Sequence, residues 1–406
     1  MKKILHLIFG RFFVVAMAII LQVLWLCVVL WQLSYKFTYV NLLVRVIAII
    51  VVLIIVNKWT NPANKLSWTF LILLSPIFGL MVYFLFGRSG LTKHTRERMD
   101  AVNQQVEALF QRDIAAEEKL EKESRSAYLQ SSYIDKWAGF PLYQNTQTKY
   151  YRCGEEMFPD MLDALRSAKH FIFLEYFIIE EGYMFNTILD ILEEKAKAGV
   201  DVRFIYDDVG SINSISFGYY KKLQERGIPC VTFNPFKPLI SVVMNNRDHR
   251  KIFVVDGYIG FTGGINLADE YINKVKRFGY WKDTGVRIEG EAVWSLTAMF
   301  LEMWNYINRS TEDYSRFLPF VYQEKKFISD GFVQPYGDSP LDNENVGENI
   351  YLNIINRAKR YVYIFTPYLI IDHEMLICLS NAAKSGVDVR IVTPGVPDKK
   401  AVYLLT

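Results

Sequence analysis

The stretch Asp248-His-Arg-Lys-Ile-Phe-Val-Val-Asp-Gly-Tyr-Ile-Gly-Phe-Thr-Gly-Gly-Ile-Asn266 sets a histidine, a lysine, an aspartate and an asparagine among short β-type runs. Its spacing reads H-x-K, four residues, D, six residues, G-G-x-N. Side chains two apart in a strand share a face, so His249 and Lys251 are expected to point the same way. An imidazole beside an ammonium suits an anionic phosphate, because one group attacks or moves a proton while the other holds charge. The chain has five histidines. His6 precedes an apolar segment, His94 lies in a charged stretch, and His373 sits in an Ile-Asp-His-Glu turn. His170 fills a slot that Arg360 fills in a related segment, so nothing there demands an imidazole. Only His249 has lysine and aspartate partners at strand and hairpin spacing.

The elements that must position this stretch are short. His170-Phe-Ile-Phe-Leu-Glu-Tyr-Phe-Ile-Ile reads as a strand, residues 186 to 199 as a helix closed by glycine, and Val200-Asp-Val-Arg-Phe-Ile-Tyr as the next strand. Strand, helix and strand in that order predict a layered α/β domain. The unit recurs. Ala168-Lys-His-Phe-Ile-Phe-Leu is similar to Ala358-Lys-Arg-Tyr-Val-Tyr-Ile, and Lys197-Ala-Gly-Val-Asp-Val-Arg-Phe-Ile to Lys384-Ser-Gly-Val-Asp-Val-Arg-Ile-Val. The offsets are 190 and 187 residues, so a duplicated α/β unit is expected over 137–320 and 321–406. His249 follows Asp201 by 48 residues, so its counterpart after Asp388 would fall near position 436, about 30 beyond Thr406. The expectation is therefore a two-copy protein whose second copy is incomplete in this chain, and which by itself turns over little.

The 406 residues carry a net charge of +3, too small to imply nucleic-acid binding. Cys27, Cys153, Cys230 and Cys378 form no C-x-x-C pair and read as structural thiols, neither metal ligands nor disulfides, in a reducing setting. The hydrophobic excess is concentrated at the N-terminus. Spans are expected at 12–34, which holds no charge, at about 38–56, which holds Arg45, and at about 66–86, where Pro76 and Gly79 are tolerated in a membrane helix. No small-residue cleavage site follows the first span, which favours an anchor over a removed signal peptide. Trp59, Trp68 and Tyr83 lie near span ends, as interfacial aromatics do. Three full crossings create a conflict. Lys2, Lys3 and Arg11 favour one chain end inside, and Arg88, Lys93, Arg96 and Arg98 favour the other end inside as well. Either one segment is re-entrant or one basic cluster is overridden. Residues 88–136 then read as a charged helical connector, with Val102, Val106, Leu109 and Phe110 at helical spacing.

His249, Lys251, Asp256, Gly263, Gly264 and Asn266 resemble the signature motif of the phospholipase D superfamily. The flanking Ala198-Gly-Val-Asp-Val-Arg, Tyr206-Asp-Asp-Val-Gly-Ser211, Gly263-Gly-Ile-Asn-Leu-Ala-Asp-Glu-Tyr271 and Tyr280-Trp-Lys-Asp-Thr284 narrow the likeness to the bacterial cardiolipin synthases. Asn61-Pro, Lys65-Leu-Ser-Trp and the span ending in Phe-Gly-Arg88 resemble that family's membrane anchor, so the likeness covers nearly the whole chain. It implies a duplicated phospholipase D-like α/β/α sandwich behind a multi-pass anchor in a bacterial cell membrane, with the catalytic domain facing the cytoplasm. The implied reaction joins two phosphatidylglycerol molecules into cardiolipin and glycerol through a phosphohistidine, with two histidines and no metal or cofactor. His249 is then nucleophile or acid/base, and Lys251 and Asn266 are phosphate ligands. Asp256 orients the motif, since it ends a strand at an Asp-Gly turn. Gly263 and Gly264 let the backbone approach the phosphate closely. Glu175, Asp269 and Glu270 are weaker candidates, Glu175 for substrate binding, and each reads more readily as a polar strand or helix-cap residue. Asp248 stands where the family has asparagine, and its carboxylate would favour protonated His249. A phospholipase D-type hydrolase and an inactive membrane lipid-binding protein are the competing readings. Homo-oligomerisation is left open, although the second copy already occupies the place a partner subunit would take.

Overall fold

A computed structural model describes residues 38–58, 60–87, 93–235, 247–323, 327, 329, 331–339 and 344–403, with isolated helical positions between 17 and 28. The chain divides into two compact units. The first holds the N-terminal region with residues 207–217 and 232–248, and the second holds the remainder.

In the first unit, α1 (Thr38–Asn57) is long and apolar enough to cross a membrane. The span expected at 12–34 lies outside the described residues apart from those isolated positions. The span expected at 66–86 is not one helix. It divides into α2 (Pro62–Leu74) and α3 (Pro76–Phe86) at Ser75. Proline has no N–H for the helical ladder and its ring disfavours helical geometry in the residue before it; Ser75 accordingly sits at φ −141°, ψ 84°. Trp68 and Tyr83 meet edge-on with ring centroids 5.4 Å apart.

The second unit opens with α4 (Lys93–Glu107), α5 (Ile114–Glu123) and α6 (Arg125–Ala138). The charged connector is amphipathic, as the spacing predicts, and its apolar stripe is docked. Val102, Val106 and Phe110 are buried, and the Phe110 ring meets Phe140 and Trp294. The sheet follows: β1 (Thr146–Tyr151), α7 (Gly154–Ser167), β2 (Phe171–Tyr176), α8 (Tyr183–Lys197), β3 (Asp201–Asp207), α9 (Tyr219–Glu225), β4 (Cys230–Phe233), β5 (Ile252–Val255), β6 (Ile259–Gly263), β7 (Gly285–Gly290) and α10 (Val293–Asn308). Strand order is β1-β7-β6-β5-β2-β3-β4. β2 and β3 run parallel, whereas β5, β6, β7 and β1 follow β2 in antiparallel succession. Every residue of β2 is buried, as a central strand covered on both faces requires. On one face Phe173 stacks on Phe300 of α10 at 4.6 Å, and on the other Phe204 meets Phe185 of α8.

The repeat is real in three dimensions. After α10 come α11 (Val346–Arg357), β8 (Tyr361–Phe365), α12 (His373–Lys384) and β9 (Asp388–Val392). β8 pairs with β9 in parallel from Tyr361↔Asp388, as β2 pairs with β3 from Phe171↔Asp201. Gly199 and Gly386 both turn the chain at positive φ, +89° and +93°. Arg203 grips Asp201, and Arg390 grips Asp388, with the same pair of hydrogen-bond lengths, 3.0 and 2.9 Å. Two residues differ in a way that bears on the site. Glu175 of β2 corresponds to Phe365, and Asp207 at the end of β3 corresponds to Pro394.

Candidate active site

The H-x-K stretch is extended chain that becomes β5 at Ile252, one residue past Lys251. As the spacing predicts, the two groups lie together. The Lys251 ammonium stands 3.3 Å from Nδ1 and 3.4 Å from Nε2 of His249, and donates to the His249 carbonyl at 2.8 Å. Their exposures differ, and the difference is useful. His249 is exposed and open to a substrate, whereas Lys251 is buried, where its charge acts through a lower dielectric. Phe177, at the end of β2, bounds the pair: its ring centroid is 4.6 Å from that of His249 and 5.5 Å from the Lys251 ammonium.

The segment is held from behind. The backbone N–H of Asp248 donates to Asp207 Oδ2 at 3.1 Å, and Asp207 also accepts from Val209 and Gly210. Burial pushes the Asp207 carboxyl above its usual range, against the pull of those amides and of Arg247. On the other side of His249, Arg250 forms an ion pair with the fully buried Glu175, Nε to Oε1 at 2.8 Å. Glu175, expected as a substrate contact, thus faces an arginine of the motif strand. Buried ion pairs cost desolvation and are weak evidence for stability, but they fix geometry. Asp248 is itself buried, and its place in the structure is set by its amide bond to Asp207.

Glu302 on α10 lies in the same charged group. Burial pushes its carboxyl up to about 8 from an ordinary 4.5, with Arg250 pulling it down and Glu107 pushing it up. The folded protein holds this proton more tightly than the unfolded chain. The group's contribution is complete below about pH 4.5 and declines as pH rises toward 8, by up to about 1.4 kcal/mol per unit. Glu302→Gln should therefore leave the thermal midpoint unchanged near pH 4.5 and raise it relative to wild type at pH 8. Parallel midpoint-against-pH curves for the two proteins would exclude this.

Asp256 takes the left-handed conformation at φ +50°. Its carboxylate accepts backbone N–H groups from Lys169 at 2.9 Å, His170 at 2.7 Å and Phe171 at 2.9 Å. Both oxygens are thereby committed to the start of β2. This is an organising contact 87 residues away in sequence, in line with the orienting role expected of it. His170 contributes its backbone here, and its ring stacks on Tyr322.

Gly263 and Gly264 permit close approaches, and among the described residues these are to the chain itself. Gly263 sits at φ +147°, and a Cβ there would lie 2.5 Å from the Thr284 carbonyl oxygen; a Cβ on Gly264 would overlap the Asp283 carboxylate. Asn266 is buried. Its Oδ1 accepts the Ile178 N–H at 3.0 Å and its Nδ2 donates to the Tyr271 hydroxyl at 2.8 Å, leaving one N–H for a phosphate oxygen. Asp269 caps α8 through the amides of Tyr183 and Met184, and Glu270 pairs with Arg277.

Sequence reasoning missed Asp283, Phe177, Arg250 and Asp207. Burial raises the Asp283 carboxyl, opposed by the Thr284 amide, the Trp281 side chain and the charges of Lys251 and Lys282. Its carboxylate lies against Gly264 of the motif, where a Cβ would overlap it. Its signal was the Tyr280-Trp-Lys-Asp-Thr284 segment, which carried family likeness but no assigned role. Among the described residues no group of three or more His, Cys, Asp or Glu side chains could hold a metal ion.

The exposed histidine and the buried lysine lead into β5, the middle strand of the seven, which pairs antiparallel with β2 and β6 in a duplicated phospholipase D-like α/β unit. The family described as cardiolipin synthase, PLD-like domain, matches residues 161–304 and 351–404, and the phospholipase D-nuclease N-terminal family matches 46–88. A cardiolipin synthase of Alkalihalophilus pseudofirmus is 37% identical over 350 residues, covering 84% of this chain and 68% of that protein. An uncharacterised Streptococcus mutans protein is 44% identical over 355 residues, covering 87% and 76%. The phosphatidylserine synthase structure from Haemophilus influenzae aligns at TM-score 0.45 and 14% identity, over 65% of this chain and 66% of that one. The chain belongs to the cardiolipin synthase family and is an enzyme of the phosphatidyltransferase class.

Proposed function

We propose that the enzyme transfers a phosphatidyl group from one phosphatidylglycerol to another, giving cardiolipin and glycerol. The observation that supports this most directly is the exposed His249 imidazole 3.3 Å from the buried Lys251 ammonium. A histidine nitrogen bonds to phosphorus and the bond to the glycerol oxygen breaks, glycerol leaving with a proton from a partner histidine of a second motif. The terminal hydroxyl of another phosphatidylglycerol then gives up its proton and attacks the phosphohistidine, freeing the imidazole. His249 serves as nucleophile or as its acid/base partner. Lys251 and the remaining Asn266 N–H offset the charge that builds on the phosphate oxygens, the usual large term in phosphoryl transfer. Asp256 and Glu175 act at one remove, by holding the strand. No metal or cofactor enters this scheme. The apolar N-terminal region favours a lipid alcohol over water as acceptor, because it keeps the enzyme where both substrates are. By the same reading the enzyme is a multi-pass membrane protein whose catalytic domain faces the cytoplasm.

The test is a mixed-micelle assay using phosphatidylglycerol labelled in its head-group glycerol, with the enzyme carrying both motifs. Transfer releases one labelled glycerol per cardiolipin formed. A phospholipase D-type hydrolase would instead give phosphatidic acid with labelled glycerol and no cardiolipin, and that outcome would overturn the proposal.

A further inference from the structure

We infer that Asn61–Gly87 is a re-entrant hairpin, entering and leaving the bilayer at one face and lodged among the acyl chains of one leaflet. The inference rests on the reading of the N-terminal region as membrane-embedded and concerns only how it is threaded.

Length is the first argument. At 1.5 Å per residue, the 13 residues of α2 and the 11 of α3 reach roughly 20 and 17 Å, short of the ~30 Å hydrocarbon core. The second is that the two helices fold back on each other instead of continuing through a kink. A Cβ on Gly79 would lie 2.5 Å from both the Ile72 Cα and the Leu71 carbonyl oxygen. In one helix, residues seven apart would be separated by about 10 Å along the axis. Likewise Trp68 and Tyr83, 15 apart in sequence, are in ring contact. The absence of a Cβ at Gly79 is what allows the backbones this close.

At the turn the backbone of Ser75 is bonded to both helices, as hydrocarbon favours. Ser75 donates its N–H to Leu71 O at 3.2 Å and accepts from the Gly79 N–H at 2.6 Å. Inside, Ile72, Leu80 and Tyr83 pack with Ala48, Val51 and Ile55 of α1. Outside, Leu66, Phe70, Leu73, Leu74, Phe84 and Phe86 are exposed, and no charged residue occurs from Leu66 to Gly87. The open end of the hairpin is polar. Asn61 caps α2, and the Lys65 ammonium reaches the Val56 carbonyl at the end of α1.

This threading removes the charge conflict. With α1 as a crossing, the hairpin as a return and the crossing expected from sequence at 12–34, Lys2, Lys3 and Arg11, then Lys58 and Lys65, then Arg88 onward all fall on one face. The positive-inside rule makes that face cytoplasmic.

Single cysteines at Thr38, Thr60 and Ser89, in the full chain with its native cysteines replaced by serine, test this in intact cells and inverted vesicles with a membrane-impermeant maleimide. The expected result is labelling of Thr38→Cys from outside only, and loss of outside labelling for both Thr60→Cys and Ser89→Cys, which react in inverted vesicles. Labelling of Thr60→Cys and Ser89→Cys from opposite faces would overturn the hairpin. Reaction of all three in both preparations, with release of the chain by alkaline carbonate, would overturn the membrane reading beneath it.

Discussion

His249→Ala should abolish cardiolipin formation by the enzyme carrying both motifs, with turnover falling by on the order of a thousandfold or more, as for other members of a catalytic group that act as a unit. The expectation is the same whether His249 attacks phosphorus or moves the proton, because each role serves both half-reactions. The substitution is structurally mild. The ring is exposed, its contacts include Phe177 and Lys251, and the backbone is held by Asp207 through Asp248 and by Glu175 through Arg250. The folded population should therefore be unchanged, and the thermal midpoint measures that separately. Alkaline-quench capture of a phosphorylated histidine from labelled substrate divides the two roles. The position of the adduct in the wild-type enzyme decides: phosphorylation of His249 makes it the attacked residue, and phosphorylation of the partner histidine makes His249 the proton carrier. Turnover within tenfold of wild type would remove His249 from the chemistry.

Asp256→Ala should instead lower stability, by about 3 to 5 kcal/mol. Three amides, that of Phe171 buried and those of Lys169 and His170 partly so, lose a charged acceptor, and alanine is forced into the left-handed region at φ +50°. Asp256→Asn separates support from chemistry. Asparagine tolerates the left-handed conformation and keeps one acceptor oxygen, so it should fall between alanine and wild type in denaturant midpoint. Its turnover per folded molecule should stay near wild type. An Asn variant with a native midpoint and no turnover would show that Asp256 takes part in proton transfer, contrary to the geometry of its carboxylate.

The motif and the duplication were legible in the sequence because both are local patterns. His249 and Lys251 are two residues apart, and the paired strands of each copy recur with the same Asp-Val-Arg start and the same glycine ahead of it. The supporting groups were not. Glu175, Asp207 and Asp283 meet the motif from 75, 41 and 32 residues away, and only the strand order brings them in. A carboxylate in an apolar strand such as Phe171-Ile-Phe-Leu-Glu175 gives no sign of its partner until the neighbouring strand is known. The hairpin was hidden for a different reason. Hydropathy records composition, and an apolar run of this length reads alike whether it crosses the bilayer or reverses at Ser75. Pro76 and Gly79 were the signal, but both also occur in continuous membrane helices, so residues alone left two threadings open.

The replacement of Glu175 by Phe365 and of Asp207 by Pro394 means that the two copies have ceased to be interchangeable parts. A strand laid beside β8 as β5 lies beside β2 would bring its counterpart of Arg250 against a phenyl ring, with no carboxylate to receive a guanidinium. Duplication here left one copy with carboxylates at two positions where the other has a phenyl ring and a proline.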